Sequence, residues 1–100
     1  MSAPLPRVLT DTEIDAALRE LPEWRREGNR IVRTVRAGSF RQAQRIVGRI
    51  CDAAEGANHH PDLHWSWTRL EIALQTHDAG GLTSRDVHLA RVIDDILRDP

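Results

Sequence analysis

Lysine and tyrosine do not occur in this chain, cysteine occurs once, and the aromatic residues are one phenylalanine and three tryptophans. A lone Cys51 excludes an internal disulfide; among apolar helical neighbours a single cysteine packs more often than it reacts, so no oxidising compartment is called for. The fourteen positive residues are all arginine, and fifteen acids bring the net charge to −1. With no basic excess, no nucleic-acid partner is expected, and so few aromatics leave no stacking platform for a single strand. No charged, apolar leader and no run of about 18 apolar residues is found, so neither export nor a membrane is expected and the reading is of a cytoplasmic protein. One hundred residues allow one domain, 1–100, and a chain of that size buries about 60–65% of its unfolded surface.

What is present is a succession of local signals. The opening MSAPLPRV (residues 1–8) carries two prolines and is expected to be extended or disordered. Thr10 with Glu13 has the form of a capping box, and Ile14, Ala17, Leu18 and Leu21 follow at helical spacing until Pro22. Gly28-Asn29 suits a two-residue turn, which sets Glu27 opposite Arg30 and puts Trp24, Ile31 and Val35 on one face of a β-hairpin. Ser39 with Gln42 reads as a second box, opening a helix of roughly 16–19 residues with Phe40, Ala43, Val47, Ile50 and Ala54 as its apolar stripe. After Pro61 the period becomes two. Leu63, Trp65 and Trp67 fall on odd positions and Leu70, Ile72 and Leu74 on even ones, so a turn or bulge is required near Thr68-Arg69. Asp78–Gly81 reads as a loop, and Thr83 with Asp86 as a third box, opening a helix with Val87, Ala90, Ile93 and Leu97 inward. The order α-β-β-α-β-β-α predicts an α+β fold, an antiparallel sheet with its helices on one face.

The chemistry gathers in EGANHHPDLHWSW, residues 55–67, where three of the five histidines fall within six residues. One histidine near a helix end is ordinary, because a cation there is favoured by about 0.3–1 kcal/mol. That account leaves unexplained two adjacent histidines, Glu55 four residues before the first, and His77 beyond the next strands. A metal site built from Glu55, His59, His60 and His77 has against it the divergence of adjacent side chains and the lack of H-E-x-x-H spacing. General acid–base work fits better: imidazole exchanges protons near neutrality, and Glu55 one helical turn before His59 is placed to orient it. His60 precedes Pro61 and is expected to project differently from His59. No Ser or Cys has an evident base partner, so no covalent nucleophile is expected. His64 and His88 read as solvated surface residues.

Glu55, His59-His60-Pro61, Trp67, His77 and Asp86, seven residues at set spacings over thirty-two positions, resemble the pterin-4a-carbinolamine dehydratase family. The likeness extends to the Trp24 segment, the Phe40 helix and Thr76-His77…Gly81-Leu82-Thr83, nearly the whole chain. It departs at His64 and Trp65, where many relatives have an aromatic directly after the proline–acid pair, and at Trp67, where many carry tyrosine. The resemblance implies a four-stranded antiparallel sheet with three helices on one face, assembly into dimers or tetramers, and dehydration of 4a-hydroxytetrahydropterin to quinonoid dihydropterin with neither metal nor cofactor. It implies His59 and His77 as proton-transfer groups and His60 as a pterin-binding or polarising group. Glu55 would orient His59, and Asp86 would bind or orient near His77. Pro61 would shape the backbone, and Trp67 would be pocket wall or core. A protein-binding module of the same fold without turnover is the alternative, since some animal relatives act as dimerisation partners of transcription factors.

Overall fold

The computed structural model describes residues 6–100. Of the expected extended opening, residues 1–5 lie outside the described residues, and residues 6–10 carry no helix or strand. Helix α1 (Asp11–Arg19) starts at the Thr10–Glu13 capping box, with both reciprocal hydrogen bonds made. It ends before Leu21, which is buried nonetheless. Strands β1 (Arg25–Glu27) and β2 (Arg30–Arg36) form the expected hairpin, with Glu27 paired to Arg30 and Gly28 at φ 62°. A side chain there would meet the left-handed backbone penalty that glycine escapes.

Helix α2 (Phe40–Ala57) is capped by Ser39, whose hydroxyl accepts from the Gln42 N–H. The Gln42 side chain does not close the box; it accepts from the Gly38 N–H instead. Strands β3 (Asp62–Ser66) and β4 (Arg69–Leu74) pair through a turn at Trp67-Thr68, one residue earlier than expected, with Ser66 opposite Arg69. Trp67 adopts φ 57°, in the left-handed region. A short 3₁₀ turn (His77–Ala79) leads to helix α3 (Ser84–Arg98), which opens on the Thr83–Asp86 box with both bonds formed.

The sheet is antiparallel throughout, in the order β1-β2-β4-β3. The register puts Ile31 against Leu74 and Leu63 against Ile72. These residues share one face with the helices, and Ile14, Ile46, Ile50, Leu89 and Ile93 pack into the same core. Three helices thus cover one face of a four-stranded sheet, as the pattern predicts. The stripe of α2 is shifted: Ile46 is buried, Val47 half-buried and Phe40 exposed. Cys51 also lies exposed on that helix rather than packed. Two features position the candidate site: the end of α2, and the Thr76–Gly81 bridge that folds the segment after β4 onto the start of α3.

Candidate active site

Helix α2 stops by chain geometry. Asn58 takes φ 48°, ψ 42°, its N–H bonds to the Glu55 carbonyl, and the His59 N–H bonds to the Ala54 carbonyl. This pair of bonds is a Schellman ending, in which a left-handed residue satisfies the last carbonyls and swings the chain away from the helix axis. His59 and His60 therefore sit outside the helix, and the one-turn relation between Glu55 and His59 no longer applies.

The reversal sends the two imidazoles in opposite directions. His59 turns inward, its side chain 9% exposed, and its Nε2 lies 2.6 Å from Oδ1 of the fully buried Asp86. His60 stays outside, and its Nε2 lies 2.8 Å from Oε2 of Glu55, in a pair 58% and 81% exposed. Two expectations are corrected here. Glu55 partners His60 rather than His59, and Asp86 partners His59 rather than His77. The physical reason is the helix ending, which aims His59 at the first turn of α3.

Asp86 serves that turn as well. Its Oδ2 accepts the Thr83 N–H at 2.9 Å, completing the capping box, and the Thr76 hydroxyl at 2.8 Å. The cap and the histidine contact coexist on one carboxylate. A buried charge is tolerated where donors compensate for lost water, and here both oxygens are engaged. Among the described residues no buried side-chain polar atom lacks a partner.

His59, His60 and His77 line one cleft of about 190 Å³, with Asn58, Gln75, Thr76, Asp78 and Arg85 completing its walls. His77, 67% exposed, has its Nε2 4.0 Å from Oδ2 of Asp62. The structure thus brings together three histidines separated by up to eighteen positions. Two larger hollows, about 270 and 280 Å³, flank Asp94 but contain no imidazole. Volume does not single out the site; the titratable groups do. Among the described residues no three His, Cys, Asp or Glu side chains converge as ligands to an ion would. His64 and His88 are exposed and stand apart from the cleft.

Pro61 is half-buried between α2 and β3 and does not line the cleft. The expectation for Trp67 is corrected: it is neither pocket wall nor core. It is 72% exposed on the β3–β4 turn, where its ring lies 6.0 Å from that of Phe40. The two-residue turn carries it past the end of the paired strands, so parity no longer aims it inward. Asn58, Gln75, Asp78 and Arg85 also line the cleft, although no local pattern in the sequence points to them as lining residues. Asn58 alone carried a signal, since asparagine after a helical stripe is a common left-handed stop.

The sequence profile described as Pterin 4 alpha carbinolamine dehydratase matches residues 7–96. The chain belongs to that family. A Nocardia farcinica protein provisionally named pterin-4-alpha-carbinolamine dehydratase is 50% identical over 91 residues, 91% of this chain and 96% of that protein. A Chloroflexus aurantiacus protein of the same provisional name is 45% identical over 93 residues, 93% of this chain and 99% of that one. A crystal structure described as a transcriptional coactivator/pterin dehydratase from Brucella melitensis superposes with a TM-score of 0.87 at 29% identity, covering 90% of this chain and 98% of its own. A pterin dehydratase-like protein described as a RuBisCO assembly factor in the alpha-carboxysome shares the fold, with a TM-score of 0.64 at 19% identity over 74% of this chain and 88% of that one. The pterin dehydratase family is therefore shown by sequence and by fold, and the histidine cleft lies within the matched residues.

Proposed function

We propose that the chain, acting as one unit over residues 1–100, dehydrates 4a-hydroxytetrahydropterin to quinonoid dihydropterin, in support of tetrahydropterin recycling. The observation that carries this reading is the convergence of His59, His60 and His77 on one cleft, within a chain of this family. Hydroxide leaves poorly from C4a, so one group protonates the C4a oxygen while another removes the proton from N5. Water departs and the C4a–N5 double bond forms. His77, exposed and able to recover a proton from solvent, suits the acid; His59, held from beneath by Asp86, suits the base. Each such group typically contributes about 10²–10⁴-fold to rate. His60, paired with Glu55 at the cleft, suits contact with the pterin ring. Pro61 keeps a backbone role only. No resident metal or cofactor enters this scheme. Cytoplasmic location and assembly into a homodimer or homotetramer belong to the same reading, and the exposed edge strand β3 is compatible with assembly.

The test supplies freshly generated 4a-hydroxytetrahydropterin and follows its disappearance against the spontaneous reaction. Acceleration by the protein, lost in the folded His59→Ala/His77→Ala variant, is the expected result; equal rates with and without wild-type protein would remove the reading.

A second reading, a protein-binding role, draws on one observation. Phe40 stacks on Trp65 with ring centroids 4.9 Å apart, and both are exposed beside Trp67. Exposed aromatics on adjoining elements mark contact surfaces more often than chance exposure does, and the Brucella relative is described as a coactivator as well as a dehydratase. Stoichiometric capture of a partner, abolished by Trp67→Ser with turnover intact, would establish this role beside the enzymatic one.

A further inference from the structure

We propose that Thr76 is a positioning residue for the reaction proposed above, and that it acts through Asp86 to fix the tautomer of His59. The inference rests on that reading for its catalytic consequence. The hydrogen-bond logic rests on geometry alone. A threonine hydroxyl has one proton to give. The Thr76 hydroxyl gives it to Asp86 Oδ2 at 2.8 Å. The 2.8 Å contact between Thr76 Oγ1 and Thr83 Oγ1 is then a bond that Thr83 donates. The chain runs in one direction, from the Thr83 hydroxyl to the Thr76 hydroxyl to the Asp86 carboxylate, and such chains polarise their members cooperatively.

The carboxylate then has Oδ2 filled by the Thr76 O–H and the Thr83 N–H, and accepts at Oδ1 from His59. Thr76 and Thr83 hold the carboxylate so that Oδ1 faces Nε2 as an acceptor, which requires His59 to carry a proton there; without the Thr76 hydroxyl the carboxylate is free to turn away. In the neutral ring Nδ1 is left with the lone pair. It has no protein partner among the described residues, and no buried side-chain polar atom is unpaired, so Nδ1 opens on the cleft that His59 lines. His59 is thereby presented as a proton acceptor: N5–H of the substrate gives its proton to Nδ1, the electron pair forms the C4a–N5 bond, and the C4a oxygen leaves as water on the acid's proton. The imidazolium returns its proton to solvent. In the sequence Thr76 belongs to the Thr76-His77…Thr83 likeness but carries no sign of its partner; the Thr76–Gly81 bridge brings it to the start of α3.

The test compares wild type with Thr76→Val, which keeps the shape and removes the hydroxyl, and Thr76→Ser, which keeps the hydroxyl. The readouts are ring-¹⁵N NMR of His59 and steady-state turnover. Wild type and Thr76→Ser are expected to show a single Nε2–H tautomer and similar kcat. Thr76→Val is expected to show a tautomer mixture and a kcat lower by about 10–100-fold, the range seen when the outer partner of a metal-bound imidazole is removed, with KM unchanged. A wild-type His59 protonated on Nδ1 overturns the proposal without recourse to any variant, even if Thr76→Val does not fold. So does a folded Thr76→Val that keeps the Nε2–H tautomer. If wild type shows no turnover, the dehydratase reading fails and the tautomer comparison alone decides the role of Thr76.

Discussion

Two histidine–carboxylate pairs stand side by side at the end of α2, alike in length and opposite in surroundings. His59 and Asp86 are 2.6 Å apart and all but sealed from water; His60 and Glu55 are 2.8 Å apart and largely in it. Near-equal distances do not mean equal energies. Burying a charge costs several kcal/mol before compensation, and three donors on Asp86 supply the compensation. An exposed pair is screened and loses side-chain entropy on ordering, so it contributes about 0–1 kcal/mol. The first pair is therefore held in place as part of the core. The second is free to change partners, which suits the ring contact proposed for His60.

Four substitutions or conditions put this contrast to the test. Asp86→Ala removes the carboxylate from a buried network and the cap of α3 together, and is expected to cost about 3–5 kcal/mol in urea unfolding. A loss below about 1 kcal/mol would show that the network is not buried in solution. His59→Gln leaves a polar group near Asp86, and is expected to lower kcat by about 10²–10⁴-fold with a smaller stability change. Glu55→Gln acts on the exposed pair, and its unfolding midpoint is expected within about 0.5 kcal/mol of wild type, with any functional change in KM. The smallest effect lies far from the cleft. Glu13's carboxyl is lowered from 4.5 to about 2, first by the hydrogen bond from Arg7 and then by the Thr10 N–H. A folded-state value below the unfolded one stabilises the fold above about 4.5 and loses that contribution as pH falls toward 2. The urea midpoints of wild type and Glu13→Gln are accordingly expected to converge over that interval, and a constant gap would contradict the link.

The exposed and buried regions were also unequally legible in the sequence. Capping boxes are local, and those at Thr10 and Thr83 read correctly because three residues contain the whole device. The second read only in half, since Gly38 competes for the Gln42 side chain. Gly28-Asn29 set the first hairpin because its chemistry is specific. The Trp67-Thr68 turn was off by one because a tryptophan at positive φ carries no turn signal. The identity of the clustered histidines was plain from spacing, and their partners were not. Partner choice depends on the direction the chain takes after Asn58, which a helical wheel extended through His59 gets wrong. The capping role of Asp86 is local and legible, whereas its histidine partner is not, because that contact spans twenty-seven positions. Thr76 and Arg85 depend on how α3 docks against the end of β4, and no local rule encodes that docking.

The most direct measurement is a titration of ring-¹⁵N-labelled protein with 7,8-dihydropterin, following all five imidazoles. His59, His60 and His77 are expected to shift together with one dissociation constant while His64 and His88 stay in place. Shifts confined to His64 or His88, with the three cleft rings unmoved, would rule out the cleft as the pterin site.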